Sequence, residues 1–144
     1  MRTVIGLSAL MGLAASGCAT LSTLPSIETV ELSPQAAATV ADDLARMAAQ
    51  RYGPGPTPLA MPHPDRPLGQ ALERALRRTG YAVNTGDTAP GVRVAYAVDG
   101  FGQDRVLVRL TVGPDYQVAR LYSMRGDRAV PVSPYTVNQG AASP

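Results

Sequence analysis

A lone histidine, a lone cysteine and two carboxylates flanking a pair of glycines are the residues of this chain whose types invite chemistry. His63 lies in "MPHPDRP", bracketed by prolines. One imidazole without a second histidine or a nearby thiol does not assemble a zinc site, which takes about three or four nitrogen and sulfur ligands. A proline-bracketed segment reads instead as an exposed loop. "DGFGQD", from Asp99 to Asp104, sets two carboxylates beside two glycines. A calcium loop needs more oxygens at closer alternation, so a hairpin turn is expected, with glycine supplying the positive φ. No serine sits in a Gly-x-Ser-x-Gly elbow, and no phosphate-cradling loop or dinucleotide fingerprint occurs. The expectation is no catalytic residue, no metal, no cofactor and no small-molecule substrate: a protein that is not an enzyme.

The cysteine is a different matter. Arg2 gives a positive start, Val4 to Ala15 is an apolar run, and Ala15-Ser16-Gly17 is a small-residue step of the kind signal peptidases cut. A spanning helix needs about 20 apolar residues, more than this run offers. The small residues abut Cys18, and the order resembles the lipobox of bacterial lipoproteins, with Ala15 where Leu is the usual residue. That resemblance implies cleavage after Gly17, a covalent lipid on Cys18 and a membrane anchor. An ordinary secretory signal with an incidental cysteine is the alternative. A single thiol in an exported chain has no disulfide partner, which favours lipidation. Ala19, not Asp, follows Cys18, and by the same resemblance this directs the lipoprotein to the periplasmic face of the outer membrane.

Beyond the leader, 12 of the 13 cations oppose 11 acids. The cations are all arginine, and only Arg77-Arg78 are adjacent. Nucleic-acid binding is not expected from so balanced a chain. With no Trp and one Phe, the core must be built from Val, Leu, Ala and some of the six Tyr.

Four segments follow: a signal peptide over 1–17, a lipidated tether over 18–32, an α+β domain over 33–137 and a disordered tail over 138–144. Ile27, Val30 and Leu32 leave room for a short first strand. Ser33-Pro34 is an N-cap followed by proline at the first helical position, and Ala37, Val40, Leu44 and Met47 recur at helical spacing, predicting a helix from Pro34 to about Tyr52. A connector with six prolines from Pro54 to Pro67 follows, in which Leu59 to Met61 has room for a strand. "PLGQALERALRRTG" carries Leu68, Leu72, Ala75 and Leu76 on one stripe and ends at Gly80, a helix with its C-cap glycine. A strand then starts at Tyr81. Val92, Val94, Tyr96 and Val98 alternate along one strand, Val106, Val108, Leu110 and Val112 along the next, and a third runs from Tyr116 to about Met124. The fold class is α+β, two helices packed on an antiparallel meander of three to four strands.

If those valines face the helices, the sheet's other face is expected to carry Arg93, Arg105, Arg109, Tyr116, Arg120 and Tyr122. Arg and Tyr are enriched at protein interfaces. Arg105, Arg109, Tyr116, Arg120 and Tyr122 are therefore the candidate partner-binding set, the alternative being a solvated face kept soluble by arginine.

Together, the leader with Cys18, the single small domain, "LGQALERALRRTGYAV", "VLVRLTVG" and "ARLYSM" resemble the TrbH family of conjugal transfer lipoproteins, from about Thr39 to Val137. The resemblance implies a structural component of a conjugative type IV secretion (mating-pair formation) apparatus, binding outer-membrane core-complex proteins. Small lipoproteins of such systems often carry a second cysteine bridged to a partner. This chain has none, so attachment is expected to be non-covalent. A stand-alone envelope lipoprotein that regulates or stabilises a cell-wall enzyme is the alternative reading.

Overall fold

The structure, a computed structural model, describes residues 25–139. Its first helix, α1 (Pro34–Arg51), starts where Ser33 accepts the Ala36 N–H at 3.2 Å and Pro34 occupies the first turn. The Ser33 hydroxyl also donates to Asp127 O at 2.9 Å, tying the helix start to a distant turn. The second helix, α2 (Pro67–Thr79), is closed by Gly80 at φ 104°, a left-handed conformation that a side chain at that position would strain.

The two helices pack against each other and share one face of a sheet. Small side chains permit the close approach: Ala36, Ala37, Ala41, Ala45 and Ala48 on α1, and Ala71 and Ala75 on α2, are all buried. Asp42 and Arg78 bridge the helix pair at 2.6 Å, an exposed contact that contributes at most about 1 kcal/mol.

Among the described residues the sheet is mixed and has eight strands: β1 (Ile27–Glu28), β2 (Leu59–Met61), β3 (Val83–Thr85), β4 (Val92–Gly100), β5 (Arg105–Val112), β6 (Tyr116–Arg125), β7 (Arg128–Pro131) and β8 (Thr136–Gln139). The α+β class and the two helices stand as expected. The sheet is larger than the expected meander and not wholly antiparallel. From β4 to β7 successive strands pair antiparallel. The β1–β4, β2–β3 and β2–β4 pairs are parallel, and β8 pairs antiparallel with β6. The reason lies in the connections. Helix α2 carries the chain from β2 back to the start of β3, and such a crossover is what a parallel pair requires. The stretch from Ile27 to Leu32 that had room for a short first strand forms one at Ile27–Glu28, and Leu32 is buried in the core.

The expected faces of α2, β4 and β5 hold. Leu68, Leu72 and Leu76 are 0–1 % exposed, as are Val94, Val98, Val108 and Leu110. The "DGFGQD" turn joins β4 to β5 and is closed by the Phe101 N–H on Arg105 O at 2.8 Å. Replacing Leu72 or Leu110 with alanine is expected to destabilise the fold by about 2–5 kcal/mol. Urea unfolding monitored by circular dichroism gives the value, and a loss below about 0.5 kcal/mol at both would contradict this core.

Candidate partner-binding face

Side chains alternate across a strand, and antiparallel partners share a face. The buried set fixes the sides: Val94, Tyr96 and Val98 on β4, Val106, Val108, Leu110 and Val112 on β5, and Tyr116, Val118 and Tyr122 on β6 all face the helices. The opposite, outer face therefore carries Arg93 and Asp99 from β4, Arg105, Leu107, Arg109 and Thr111 from β5, and Gln117, Leu121 and Arg125 from β6.

Arg105 and Arg109 lie on this outer face, as expected. Arg105 is exposed and sits 5.6 Å from the centroid of the Phe101 ring, which is itself 53 % exposed. Arg109 Nη2 bonds Asp99 Oδ2 on the neighbouring strand. Leu107 and Leu121 pair across β5 and β6 and are partly exposed. The result is a cationic and aromatic surface with a shallow apolar strip.

Tyr116, Arg120 and Tyr122 do not lie there, which corrects their expected placement. The register sets Tyr116 opposite Val112, Arg120 opposite Val108 and Tyr122 opposite Val106, all inward-facing. Tyr122 is 0 % and Tyr116 3 % exposed. Each hydroxyl is satisfied inside: Tyr116 donates to Met47 O at 3.0 Å and Tyr122 to Asp43 Oδ2 at 2.6 Å. Arg120 donates from Nη1 to the same Asp43 oxygen at 2.7 Å and from Nε to Ser133 O at 3.0 Å. The Tyr116 ring also packs edge-on against Tyr52, centroids 5.7 Å apart.

Asp43 is the residue that the sequence reading missed. A charged residue, absent from the expected apolar stripe of α1, it is nevertheless buried and anchors the helix to β6. The signal was present, since position 43 lies three residues after Val40 and four before Met47, on the apolar stripe. Burial, and then the bond to Asp43, push the Tyr122 phenol well above the ordinary tyrosine range.

Cys18 and Gly17 lie outside the described residues. His63 is exposed, on the loop before α2. Among the described residues no group of three or more His, Cys, Asp and Glu is placed to hold a metal, and no helix is long and apolar enough to cross a membrane.

The domain thus presents two helices on one side of the sheet and Arg105, Arg109 and Phe101 on or beside its other face. Residues 20–141 match the family described as "Conjugal transfer protein TrbH". A protein of Sinorhizobium fredii named "Probable conjugal transfer protein TrbH" is 33% identical over 135 residues, covering 86% of this chain and 89% of the relative. No solved structure matches. The chain belongs to the TrbH family of conjugal transfer proteins.

Two outcomes test the inner anchor. Tyr122→Phe removes a donor from a buried carboxylate and is expected to destabilise by about 1–3 kcal/mol, with Asp43→Ala, which strips Arg120 of its only carboxylate partner among the described residues, at least as severe. Because the folded-state Tyr122 pKa is raised, its contribution is intact below the unfolded value near 10 and is lost as pH rises beyond it. Tyr122→Phe should flatten the alkaline fall in stability, read by urea unfolding between about pH 8 and 11. An unchanged alkaline slope would place the titrating group elsewhere.

Proposed function

We propose that this protein is a lipid-anchored outer-membrane component of a conjugative type IV secretion apparatus, and that it acts structurally, without catalysis, by docking its outer sheet face on core-complex proteins. Membership of the TrbH family supports the link to conjugal transfer. The outer face carries the docking step: Arg105 stacked on exposed Phe101, Arg109 beside it, and the half-covered Leu107–Leu121 pair between them. Arginine and aromatic side chains supply large contact area with polar ends, and an exposed apolar strip among them is what a partner's surface covers.

Anchoring rests on the leader, its small-residue step and Cys18. An acyl chain contributes about 0.8 kcal/mol per buried CH₂, and stable anchoring takes more than one chain or signal, which a multiply acylated terminus satisfies. With a single cysteine taken by lipid, attachment to the partner is non-covalent.

Cys18→Ser should abolish radiolabelled palmitate incorporation and leave a precursor still carrying its leader. Labelling at the wild-type level would refute the anchor. The double variant Arg105→Ala and Arg109→Ala should keep its thermal melt within a few degrees, since exposed strand positions contribute little stability. It should lose co-purification with the transfer apparatus from detergent extracts, and mating frequency should fall. A folded double variant that co-purifies and mates normally would return the outer face to a solvated surface.

A further inference from the structure

The sheet is guarded differently at its two edges. At β3, Arg77 Nη2 donates to Val83 O at 2.7 Å, so a charged side chain from α2 covers that strand's free edge. Along the other edge two short strands lie end to end against β6. Strand β7 begins at Arg128, ends at Pro131 and packs against α1. Strand β8 has none of these protections. It pairs with β6, and among the described residues no strand lies on its other side. From Ala129 to Pro144 the sequence carries no Asp, Glu, Arg, Lys or His. The unpaired N–H and C=O groups of an edge strand are a template for another strand, and charge, proline or a covering element is what ordinarily closes them.

Apolar surface collects at the same edge. Of the six large apolar side chains that stand exposed among the described residues, Val132, Tyr135 and Val137 fall in this segment. The register sets Val137 opposite Val118 and Thr136 opposite Ala119. Val137 and Tyr135 therefore lie on the helix side of the sheet, and Thr136 and Asn138 on its outer side. Tyr135 agrees with this, its hydroxyl donating to Gln50 Oε1 of α1 at 2.9 Å. Val118 is 0 % exposed and Val137, one strand further out, 40 %. The apolar row that crosses β6 thus runs to the edge and stops there uncovered.

We propose that β8 pairs with β8 of a second copy of this chain, antiparallel about a two-fold axis at Val137. Symmetry selects the register. A two-fold axis that joins two identical edge strands into one sheet stands perpendicular to it and sets one residue opposite its own copy. Centred on Val137, the axis brings the two valines together, sets Thr136 opposite the second copy's Asn138, and sets Tyr135 opposite the second copy's Gln139. The row from Val118 to Val137 then continues across the axis, both helix layers lie on one side, and no like charges oppose one another along the strand. An uncharged strand offers nothing by which to select an acidic or basic partner, whereas its own copy matches it position by position. About five opposed pairs make a small interface, so the dimer is a transient one. This edge is separate from the outer face, and the pairing does not depend on docking there.

Disulfide trapping in cells expressing the full chain tests the register. With diamide as oxidant, Val137→Cys should give a disulfide-linked dimer, because directly opposed residues of antiparallel strands stand about 4.5–5.5 Å apart between Cα atoms, within disulfide reach. Tyr135→Cys alone and Gln139→Cys alone should each give about tenfold less, since either lies about 13 Å from its own copy in this register. Co-expressing those two variants should restore the band. Adding Val137→Lys to both co-expressed chains sets like charges at the axis and should lower the band at least about tenfold. Val137→Lys by itself should keep its thermal melt within a few degrees, as an exposed strand position does. The wild-type chain, with Cys18, sets the background, and peptide mass spectrometry identifies both halves of each band. No dimer from Val137→Cys, an equal yield from Tyr135→Cys alone, or a band that persists with Val137→Lys would each overturn the proposal. A Val137→Cys band that joins this chain to a different polypeptide would overturn it in favour of a partner's strand on the same edge.

Discussion

One buried carboxylate decides how this domain is put together. Helix α1 is lined with alanines, so its apolar surface is smooth and by itself tolerates sliding along the sheet. Asp43 removes that freedom. Its oxygen Oδ2 takes both the Tyr122 hydroxyl and the Arg120 guanidinium from β6, and any register that parts them leaves charges buried without partners, at a loss of several kcal/mol. One turn along α1, Met47 O takes the Tyr116 hydroxyl from the start of the same strand. The two contacts lie at different points along both the helix and β6, so they fix rotation and translation together. Arg120 extends the constraint through Ser133 O to the segment between β7 and β8.

This anchor also explains what is left on the outside. The inner face of β6 uses its two tyrosines and its central arginine to hold the helix. The outer face keeps the alternate positions of β4 and β5, where the arginines have only strand neighbours. Arg109 bonds Asp99, while Arg105 rests on an aromatic ring that is itself exposed. An interface built there does not disturb the fold, because none of its side chains is part of the core. The same partition separates tyrosine's two roles in this chain, core and surface, on physical grounds: a phenol is buried when an acceptor such as Asp43 or Met47 O is within reach of its hydroxyl.

That partition was only half legible in the sequence. Helix α2 was readable to its last residue, since Gly80 marks its end and its leucines keep one stripe. Strands β4 and β5 were readable because valines mark every second position. Strand β6 lacks that marker: Val118 is its only inward aliphatic between Tyr116 and Tyr122, and amphipathic Tyr and Arg suit either side. The parity of Val118, opposite Leu110 in the register, is the signal that assigns all three. Strands β1, β2 and β3, two or three residues each, are too short to show a period at all. Their parallel pairing follows from the crossover through α2 and from the placement of Ile27 and Glu28 at the β4 edge, both long-range facts that local pattern does not encode. Asp43 was visible by spacing but read by polarity, and polarity is the weaker guide when a partner waits across the interface.

The position of β1 ties the first described residues to the sheet. The described chain enters the sheet through a strand only two residues long, laid parallel on β4, a strand central to the sheet. Load applied at Pro25 therefore reaches β4 through the Thr29 and Ser26 contacts. A structure selected for stability alone would place a neutral or apolar residue at position 28, as Val98 across the register already is. Burial raises the proton affinity of the Glu28 carboxyl, with the Tyr96 hydroxyl opposing, so this short strand is held by its Thr29 and Ser26 contacts more than by its acidic side chain.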